Sequence, residues 1–246
     1  MTAATLWFLD FGRLIDQHDD GTTSAIPVPG YLIRSASGRH YLVDTGNPAT
    51  LIGAETCAPW YGAGADIKPE NDPVACLAAM NLTPRDIDAV IATHLDFDHA
   101  GRYDVFGPLG TDVWIQRAQM RSALSDTERY DPALWKISGL RWRQLDGDFE
   151  IEPGIRLIRT DGHATGHQSL FIVTTGGPVI LAADAIDSRR MLETRAFADY
   201  YDAAATNASI DKLVALANES GGPIVFGHDL AQWETLPMSP RPYSQS

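Results

Sequence analysis

Two histidines and two aspartates with metal-binding side chains lie close together, in the order His94, Asp96, Asp98 and His99. The apolar run over 89–92 directly precedes them and is typical of a buried strand. Imidazole and carboxylate groups at the end of a buried strand are costly unless a partner neutralises them, and a cation is a suitable partner. The segment therefore predicts metal binding. The alternative is a polar loop that happens to be rich in Asp and His.

Further side chains that can bind metals also stand at or shortly after the ends of predicted strands. His163 follows the predicted strand 154–160, Asp184 follows 179–183, and His228 follows 223–226. Sites in open α/β sheets assemble at the carboxyl ends of the strands. Because the chain contains only seven histidines, this arrangement strengthens the prediction of a metal site.

Alternating hydrophobic residues and turn residues predict a chain rich in strands. The strands are predicted over 6–11, 31–34, 39–44, 89–93, 112–116, 154–160, 169–174, 179–183 and 223–226. Helices are predicted from Asp72-Pro73 onward, over 117–125 and over 207–220, and the segments 48–70 and 126–140 are predicted to be irregular. No linker divides the chain, so we expect a single domain over residues 1–246.

The composition excludes several classes of partner. A formal net charge of −13 disfavours nucleic acid and anionic membrane surfaces. The N-terminus lacks the features of a signal peptide, and no apolar run is long enough to span a membrane. Two cysteines make no disulfide framework, which favours a reducing, cytoplasmic setting; Cys76 is predicted to be a core residue and Cys57 stays undetermined.

The order of these motifs resembles the metallo-β-lactamase superfamily, and it is similar to the N-acyl-homoserine lactonase branch in particular. The motifs that carry the resemblance are the segments 93–101, 116–117, 148–154, 162–170 and 226–229. The resemblance implies a mixed α/β (α+β) fold, a four-layer αβ/βα sandwich. It also implies a metal-dependent hydrolase that opens a lactone or cleaves an ester, with an N-acyl-homoserine lactone as the expected substrate.

Two divalent metal ions, most simply zinc, are implied by the resemblance. The first site would use His94, Asp96 and His163; the second would use Asp98, His99 and His228; and Asp184 would bridge them. The sequence departs from the family pattern at Asp96, where a histidine is usual. A carboxylate makes the site more anionic and harder, which favours Fe or Mn relative to Zn. The alternative is that Asp96 points away and leaves a depleted or mononuclear site.

Asp98 and Asp184 are the residues to which the resemblance assigns catalytic roles. A hydroxide that bridges two metals roughly 3.5–4 Å apart would attack the carbonyl carbon, with Asp184 holding both ions. Asp98 would carry the proton to the leaving group. The alternatives are a thioester or small phosphoester hydrolase of the same superfamily and a non-hydrolytic di-iron protein, which Asp96 suggests. A homodimer is compatible with the sequence.

A second departure concerns Asp187, which occupies the position of a tyrosine in the lactonase branch. The replacement candidates are Tyr61, Tyr103, Tyr200 and Tyr201. The loops over 48–70 and 126–140 and the segment 187–201 are expected to build the substrate pocket. Their aromatic residues either line it or pack beneath the loops, and these residues are Trp60, Tyr61, Tyr130, Trp135, Phe197 and Tyr200.

Three further residues have two interpretations each. Asp44, at the end of the third strand, either caps a turn or holds a metal-binding histidine in place. Asp229 either orients His228 or caps a turn. His167 is predicted to support the site or the core rather than to bind metal.

Overall fold

The computed structural model describes residues 3–18, 20–56, 64–198 and 201–244, and these residues form two β-sheets with helices on their outer faces. The strands are β1 (Thr5–Gln17), β2 (Thr23–Arg34), β3 (His40–Val43), β4 (Gly64–Asp66), β5 (Ala89–Ile91), β6 (Asp112–Gln116), β7 (Arg141–Leu145), β8 (Phe149–Glu152), β9 (Ile155–Arg159), β10 (Gln168–Thr174), β11 (Gly177–Ala183) and β12 (Ile224–Phe226). The α-helices are α1 (Pro73–Ala78), α2 (Phe97–Ala100), α3 (Arg117–Ser125), α4 (Pro132–Trp135), α5 (Arg189–Thr194), α6 (Ala203–Ser220) and α7 (Leu230–Trp233).

The larger sheet has the strand order β4-β1-β2-β3-β5-β6-β7. From β3 to β7 neighbouring strands are parallel. The residues that follow β3 and β5 therefore meet at the same edge of the sheet. This edge carries Asp44 and the segment from His94 to His99.

The smaller sheet has the strand order β12-β11-β10-β9-β8. Its strands β11 and β12 are parallel, and β9 runs in the same direction because both β9 and β11 are antiparallel to β10. The chain therefore leaves β9, β11 and β12 at one edge. This edge carries His163, Asp184 and His228.

Alternating side chains along the strands divide the core into three layers of packing. Ile33, Val43 and Ile91 face a central cluster that also contains Leu157 and Leu181 of the smaller sheet. On the opposite face of the larger sheet, residues such as Leu32, Leu42 and Val90 pack against α1 and α3, through Leu77 and Met120. The outer face of the smaller sheet packs against α5 and α6, through Met191, Ile210 and Leu213. Helix, sheet, sheet and helix thus form the four-layer αβ/βα sandwich that the family resemblance implies.

Several predicted elements are confirmed. The strand β6 and the helix α3 have the predicted bounds, and β10 and β11 form the predicted hairpin. The α1 helix begins after Asp72, whose side chain accepts a hydrogen bond from the Val74 backbone N–H, as an N-cap does. Helix α6 begins at Ala203, earlier than predicted, because Asp202 caps its N-terminus.

Other predictions were too short or wrong. Strands β1 and β2 extend well beyond 6–11 and 31–34. Pro27 and Pro29 conceal β2 from a sequence pattern; they are tolerated because the pairing with β1 is irregular between Asp10 and Arg13. The segments 48–70 and 126–140 are not wholly irregular, since they contain β4 and α4. The sequence analysis also missed β7, β8, α5 and α7. Most side chains of β7 are exposed, so the strand lacks the hydrophobic alternation that predicts a strand.

Among the described residues, no helix has the length and hydrophobicity needed to cross a membrane.

Candidate metal centre

The two sheet edges bring all seven predicted ligands together. The first group is His94, Asp96 and His163; the second group is Asp98, His99 and His228; and His94 and His99 also form a group with Asp184. Within each of the three groups, the ligand atoms lie within 4.8 Å of one another. In the first group, Asp96 Oδ2 lies 2.9 Å from His163 Nε2 and 3.3 Å from His94 Nε2.

Asp184 lies between the two groups. Its Oδ2 atom is 3.1 Å from His228 Nε2, 3.4 Å from His163 Nε2 and 3.8 Å from His94 Nε2. Its Oδ1 atom is 3.3 Å from His99 Nε2. One carboxylate therefore faces histidines of both groups, which is the arrangement that a bridging ligand requires.

Three of the histidines are held so that their Nε2 atoms face the centre. Asp44 Oδ2 lies 2.8 Å from His99 Nδ1, and the Pro27 carbonyl oxygen lies 2.8 Å from His228 Nδ1. Because a carboxylate and a carbonyl only accept hydrogen bonds, both Nδ1 atoms carry the proton. The Thr93 hydroxyl donates to Asp44 and therefore accepts from His94 Nδ1, 3.0 Å away.

The structure thus resolves the two interpretations of Asp44 and Asp229. Asp44 is buried and fixes His99 directly and His94 through Thr93, so it does more than cap a turn. Asp229 instead accepts hydrogen bonds from the backbone N–H groups of Gln232 and Arg189. It caps α7, and the interpretation that it orients His228 is wrong.

The polar atoms that face the centre fit a divalent cation. His94 Nε2, His99 Nε2 and Asp184 Oδ1 are buried and have no hydrogen-bond partner within the described part of the chain. Buried polar atoms are almost always paired, so several such atoms in one place require an explanation. Nitrogen and carboxylate donors are the usual ligands of zinc and related metals, and a cation between them would satisfy all three atoms.

Burial and mutual charge shift the pKa values of the cluster in opposite directions. Burial alone would raise the pKa of Asp184, but the four surrounding histidines hold it well below its usual range. Burial would lower the pKa of His228, but Asp184 raises it to about 9. Burial and the neighbouring His99 lower the pKa of His94. The cluster therefore depends on close contact between carboxylates and imidazoles.

Arg129 is a member of the site that the sequence did not indicate. Its Nε atom donates to Asp96 Oδ1 at 2.8 Å, and its Nη2 atom donates to Asp96 Oδ2 at 2.7 Å. Nη2 also lies 3.1 Å from His163 Nε2. Although burial would raise the pKa of Asp96, Arg129 and then His163 hold it well below its usual range. The unusual carboxylate at position 96 is the sequence feature that calls for a cationic partner.

A cavity of about 520 Å³ opens above this cluster. Its floor includes five of the predicted ligands: Asp96, Asp98, His163, Asp184 and His228. Its apolar wall is formed by Leu14, Ile26, Phe97 and Tyr201, and its polar wall by Glu128, Arg129, Asp187 and Ser188. The shape and mixed lining suit a small molecule with an apolar portion.

The aromatic residues that the sequence analysis considered for the pocket do not all lie at the cavity. Tyr130 and Trp135 are buried in the core beside the larger sheet rather than lining the cavity. Phe197 stacks on Tyr201. Trp60, Tyr61, Tyr200 and Cys57 lie outside the described residues.

His167 supports the core beside the site. Its Nδ1 atom lies 2.9 Å from the Thr160 hydroxyl, and its ring centroid lies 5.2 Å from that of His94. It is absent from the three groups of ligand atoms, which agrees with a supporting role.

Comparison with protein families identifies the scaffold. The model of the metallo-beta-lactamase superfamily matches residues 25–228 of the chain. The chain belongs to this superfamily. The family match contains the segments that carry all seven predicted ligands.

Relatives within the superfamily are similar over nearly the full chain. An N-acyl homoserine lactonase of Bacillus thuringiensis is 31% identical, over 98% of this chain and 99% of that protein. The N-acyl homoserine lactonase AttM of Rhizobium johnstonii is 30% identical, over 92% of this chain and 90% of that protein. The predicted resemblance to the lactonase branch is confirmed.

Solved structures agree with this placement. The structure of an N-acyl homoserine lactone hydrolase, with the product N-hexanoyl-L-homoserine bound at its catalytic metal centre, has a TM-score of 0.86 and is 29% identical. The match covers 99% of this chain and 100% of that chain. AidC, a dizinc quorum-quenching lactonase, is 15% identical with a TM-score of 0.68, which shows a shared fold.

Proposed function

We propose that this superfamily member is a metal-dependent hydrolase that opens the ring of N-acyl-homoserine lactones. The observation that carries the proposal is the seven-residue cluster at the floor of a cavity with an apolar wall. The relatives that match nearly the whole chain are named as lactonases, which supports the substrate class.

Two divalent cations would be held by the cluster, and we propose zinc. The first group would hold one ion, the second group would hold the other, and Asp184 would contact both. When bound, the two cations would lower the pKa of a water molecule and polarise the substrate carbonyl. Asp96 makes Fe or Mn the alternative, since a carboxylate is a harder ligand than histidine.

The residues of the chain would position the reacting groups and move the proton. Asp44 and the Pro27 carbonyl keep His99 and His228 in the tautomer whose Nε2 atom faces the centre. Asp98 lies at the cavity floor, where its carboxylate would accept a proton from the attacking water. The same proton would pass to the ring oxygen as the acyl C–O bond breaks, and the product would be a hydroxy acid.

The cavity walls would bind the two ends of the substrate differently. The apolar wall with Leu14, Ile26 and Phe97 suits the acyl chain. Asp187 is on the polar wall and accepts a hydrogen bond from Ser188, so it is no substitute for a tyrosine donor. Of the four tyrosines considered, Tyr201 lines the cavity, whereas Tyr103 is buried in the core. We propose Tyr201 as the tyrosine beside the substrate.

Turnover of a substrate panel tests the proposal. The purified protein, loaded with zinc, is expected to open short- and long-chain N-acyl-homoserine lactones with release of a proton. Asp184→Asn and His99→Ala are expected to abolish the reaction with the fold retained, whereas Asp146→Asn, at an exposed ion pair, is expected to leave it unchanged. The absence of turnover on every lactone and ester would contradict the proposal.

One alternative is favoured by a specific observation. Arg129 lies on the cavity wall, and guanidinium groups bind phosphate oxygens well. A small phosphoester therefore belongs in the panel, together with a thioester. A purified protein that is colourless and contains zinc would exclude the di-iron alternative.

We also propose a cytoplasmic location and one hydrolase domain over residues 1–246, with a homodimer as the assembly to test. Cys76 is buried and unpaired, and burial raises the pKa of its thiol to about 12. An unreactive free thiol agrees with a reducing compartment. Mass measurement in solution checks the assembly.

A further inference from the structure

Arg129 and Asp96 form a pair at the first group that restricts how the carboxylate can be used. The guanidinium binds both carboxylate oxygens, with Nε on Oδ1 at 2.8 Å and Nη2 on Oδ2 at 2.7 Å. The same Oδ2 atom is the one that faces His94 and His163. The oxygen that would bind a metal is therefore already a hydrogen-bond acceptor for a cation.

His163 lies against the same pair and also contacts Asp96. Its Nε2 atom lies 3.1 Å from Arg129 Nη2 and 2.9 Å from Asp96 Oδ2. Because a carboxylate only accepts hydrogen bonds, the 2.9 Å contact is a hydrogen bond from His163 Nε2 to Asp96. Arg129 and His163 both donate to Asp96 Oδ2, so Arg129 competes with a metal ion for the one unshared carboxylate of the first group.

The charges of the two groups also differ. Asp96 is the unshared carboxylate of the first group, and Arg129 neutralises it. In the second group, Asp98 pairs with His99, and within the described residues no arginine or lysine forms an ion pair with it. Asp44 adds further negative charge behind His99. A divalent cation is therefore attracted more strongly to the second group than to the first.

We propose that Arg129 makes the two metal sites unequal. The site of Asp98, His99 and His228 binds its ion tightly, and the site of His94, Asp96 and His163 binds its ion more weakly and exchanges it. Arg129 acts as a built-in competitor that must release Asp96 before the first site fills. This inference rests on the two-metal centre proposed above, but not on the identity of the substrate.

Stepwise metal titration of the full-length protein tests the proposal. The metal is removed with a chelator, and Co²⁺ is added while calorimetry and visible absorption record each binding step. In the parent protein we expect two steps whose dissociation constants differ by about tenfold or more. The first step is binding at the site of Asp98, His99 and His228, and the second step is binding at the site of His94, Asp96 and His163. Arg129→Gln is expected to tighten the second step by about tenfold and to leave the first step unchanged.

A matched control removes the same charge elsewhere. Arg117 forms an exposed ion pair with Asp146, so Arg117→Gln is expected to leave both binding steps as in the parent protein. Arg129→Lys retains the charge but loses the two-point contact, and it is expected to give an intermediate second step. This variant also serves if Arg129→Gln does not fold.

The outcomes separate this inference from the proposed function. Two equally tight steps in the parent protein would overturn the inference and leave the two-metal hydrolase standing. A second step that is weaker or unchanged in Arg129→Gln would also overturn it, because Arg129 would then support Asp96 or have no influence. A parent protein that binds no Co²⁺ would overturn both proposals, and lactone turnover is measured independently.

Discussion

A single buried side chain, Asp44, positions two of the proposed metal-binding histidines. Its carboxylate accepts hydrogen bonds from the Thr93 backbone and hydroxyl and from His99 Nδ1. Its backbone has φ of 59°, a left-handed conformation that aspartate tolerates better than most residues. The residue is therefore held in an uncommon conformation in which one carboxylate orients His99 and, through Thr93, His94.

Asp44→Asn tests this role. The amide would place N–H donors opposite the Nδ1–H of His99, so the ring would have to carry its proton on Nε2, where a metal should bind. We expect metal affinity at the second group to fall by about 10- to 100-fold. Competition with a chromophoric chelator measures this change, with Asp146→Asn as the control; unchanged affinity would contradict the prediction.

Asp96→His tests the relation between the unusual ligand and Arg129. A histidine at position 96 supplies the ligand type usual in the family, but it leaves the guanidinium beside a metal ion without its carboxylate partner. We expect the single variant to gain less zinc than the double variant Asp96→His/Arg129→Gln. Elemental analysis measures the occupancy, and a single variant with as much zinc as the double variant would show that the two residues are not coupled.

The short helix α2, which carries Asp98 and His99, packs closely against the loop after Asp44. Gly101, directly after α2, donates its backbone N–H to the Gly46 carbonyl oxygen at 2.7 Å. A Cβ atom at this position would collide with backbone atoms of Asn47 and Pro48. The absence of a side chain thus lets the metal-binding segment pack against the loop after Asp44.

Gly101→Ala should separate these two segments. Because the colliding atoms belong to the backbone and cannot rotate away, we expect a loss of stability of about 1–3 kcal/mol and weaker metal binding. Gly38→Ala is the comparison, since its position is open but has φ of 90°, and it should cost about 1 kcal/mol without affecting the metal. Thermal unfolding and metal titration measure both; equal effects would contradict this account.

Glu152 connects β8 to the hairpin of β2 and β3. It accepts hydrogen bonds from Tyr41 at 2.6 Å and from Ser37 at 2.9 Å. Burial is the largest single influence and would raise its pKa, but the hydrogen bonds from these donors together with the charge of Arg39 lower it overall from the usual 4.5. Its contribution to stability is therefore present above pH 4.5 and is lost as the pH falls through the lowered pKa.

Glu152→Gln should reduce stability at pH 7 by about 1 kcal/mol, because one charged acceptor becomes neutral. The difference from the parent protein should narrow as the pH falls below 4.5. Urea unfolding at several pH values measures it, with Glu193→Gln, at an exposed position, as the control. A difference that is independent of pH would contradict the prediction.

Elements with one buried face were predictable, and elements whose pattern is masked were not. Strand β6 and helix α3 followed directly from hydrophobic spacing. Strand β7 is mostly exposed at the edge of its sheet, so it lacks an alternating pattern. The prolines of β2 read as turns in the sequence, and their place opposite the irregular part of β1 became apparent only from the pairing of the strands.

At the scale of the whole molecule, the centre joins the two sheets. His94, Asp96, Asp98 and His99 follow β5 of the larger sheet, whereas His163, Asp184 and His228 follow strands of the smaller one. The strand-end pattern predicted that these side chains would meet, whereas their assignment to two metal sites came from the family resemblance. Arg129 escaped prediction because it belongs to a loop, and no periodic pattern indicates where a loop side chain points.

Metal removal should therefore lower the stability of the whole molecule. Ions that bind the folded state alone stabilise it by roughly 4 kcal/mol at a thousandfold excess over the dissociation constant. Without them, Asp98 and Asp184 keep histidines as their ion-pair partners within the described residues, whereas Asp96 remains paired with Arg129. We expect calorimetry to show a lower unfolding temperature after chelation and recovery with zinc; an unchanged temperature after verified removal would contradict this prediction.

The hydrogen bond between His228 and the Pro27 carbonyl spans 201 positions of the chain. Contacts of such long range form late, after the entropy of closing a long loop has been overcome. During synthesis, β2 is made long before β12, so His228 can reach the Pro27 carbonyl only after β12 has been made. Complete metal capture is consequently a property of the finished chain: a growing polypeptide would present the segment from His94 to His99 long before it could retain both ions.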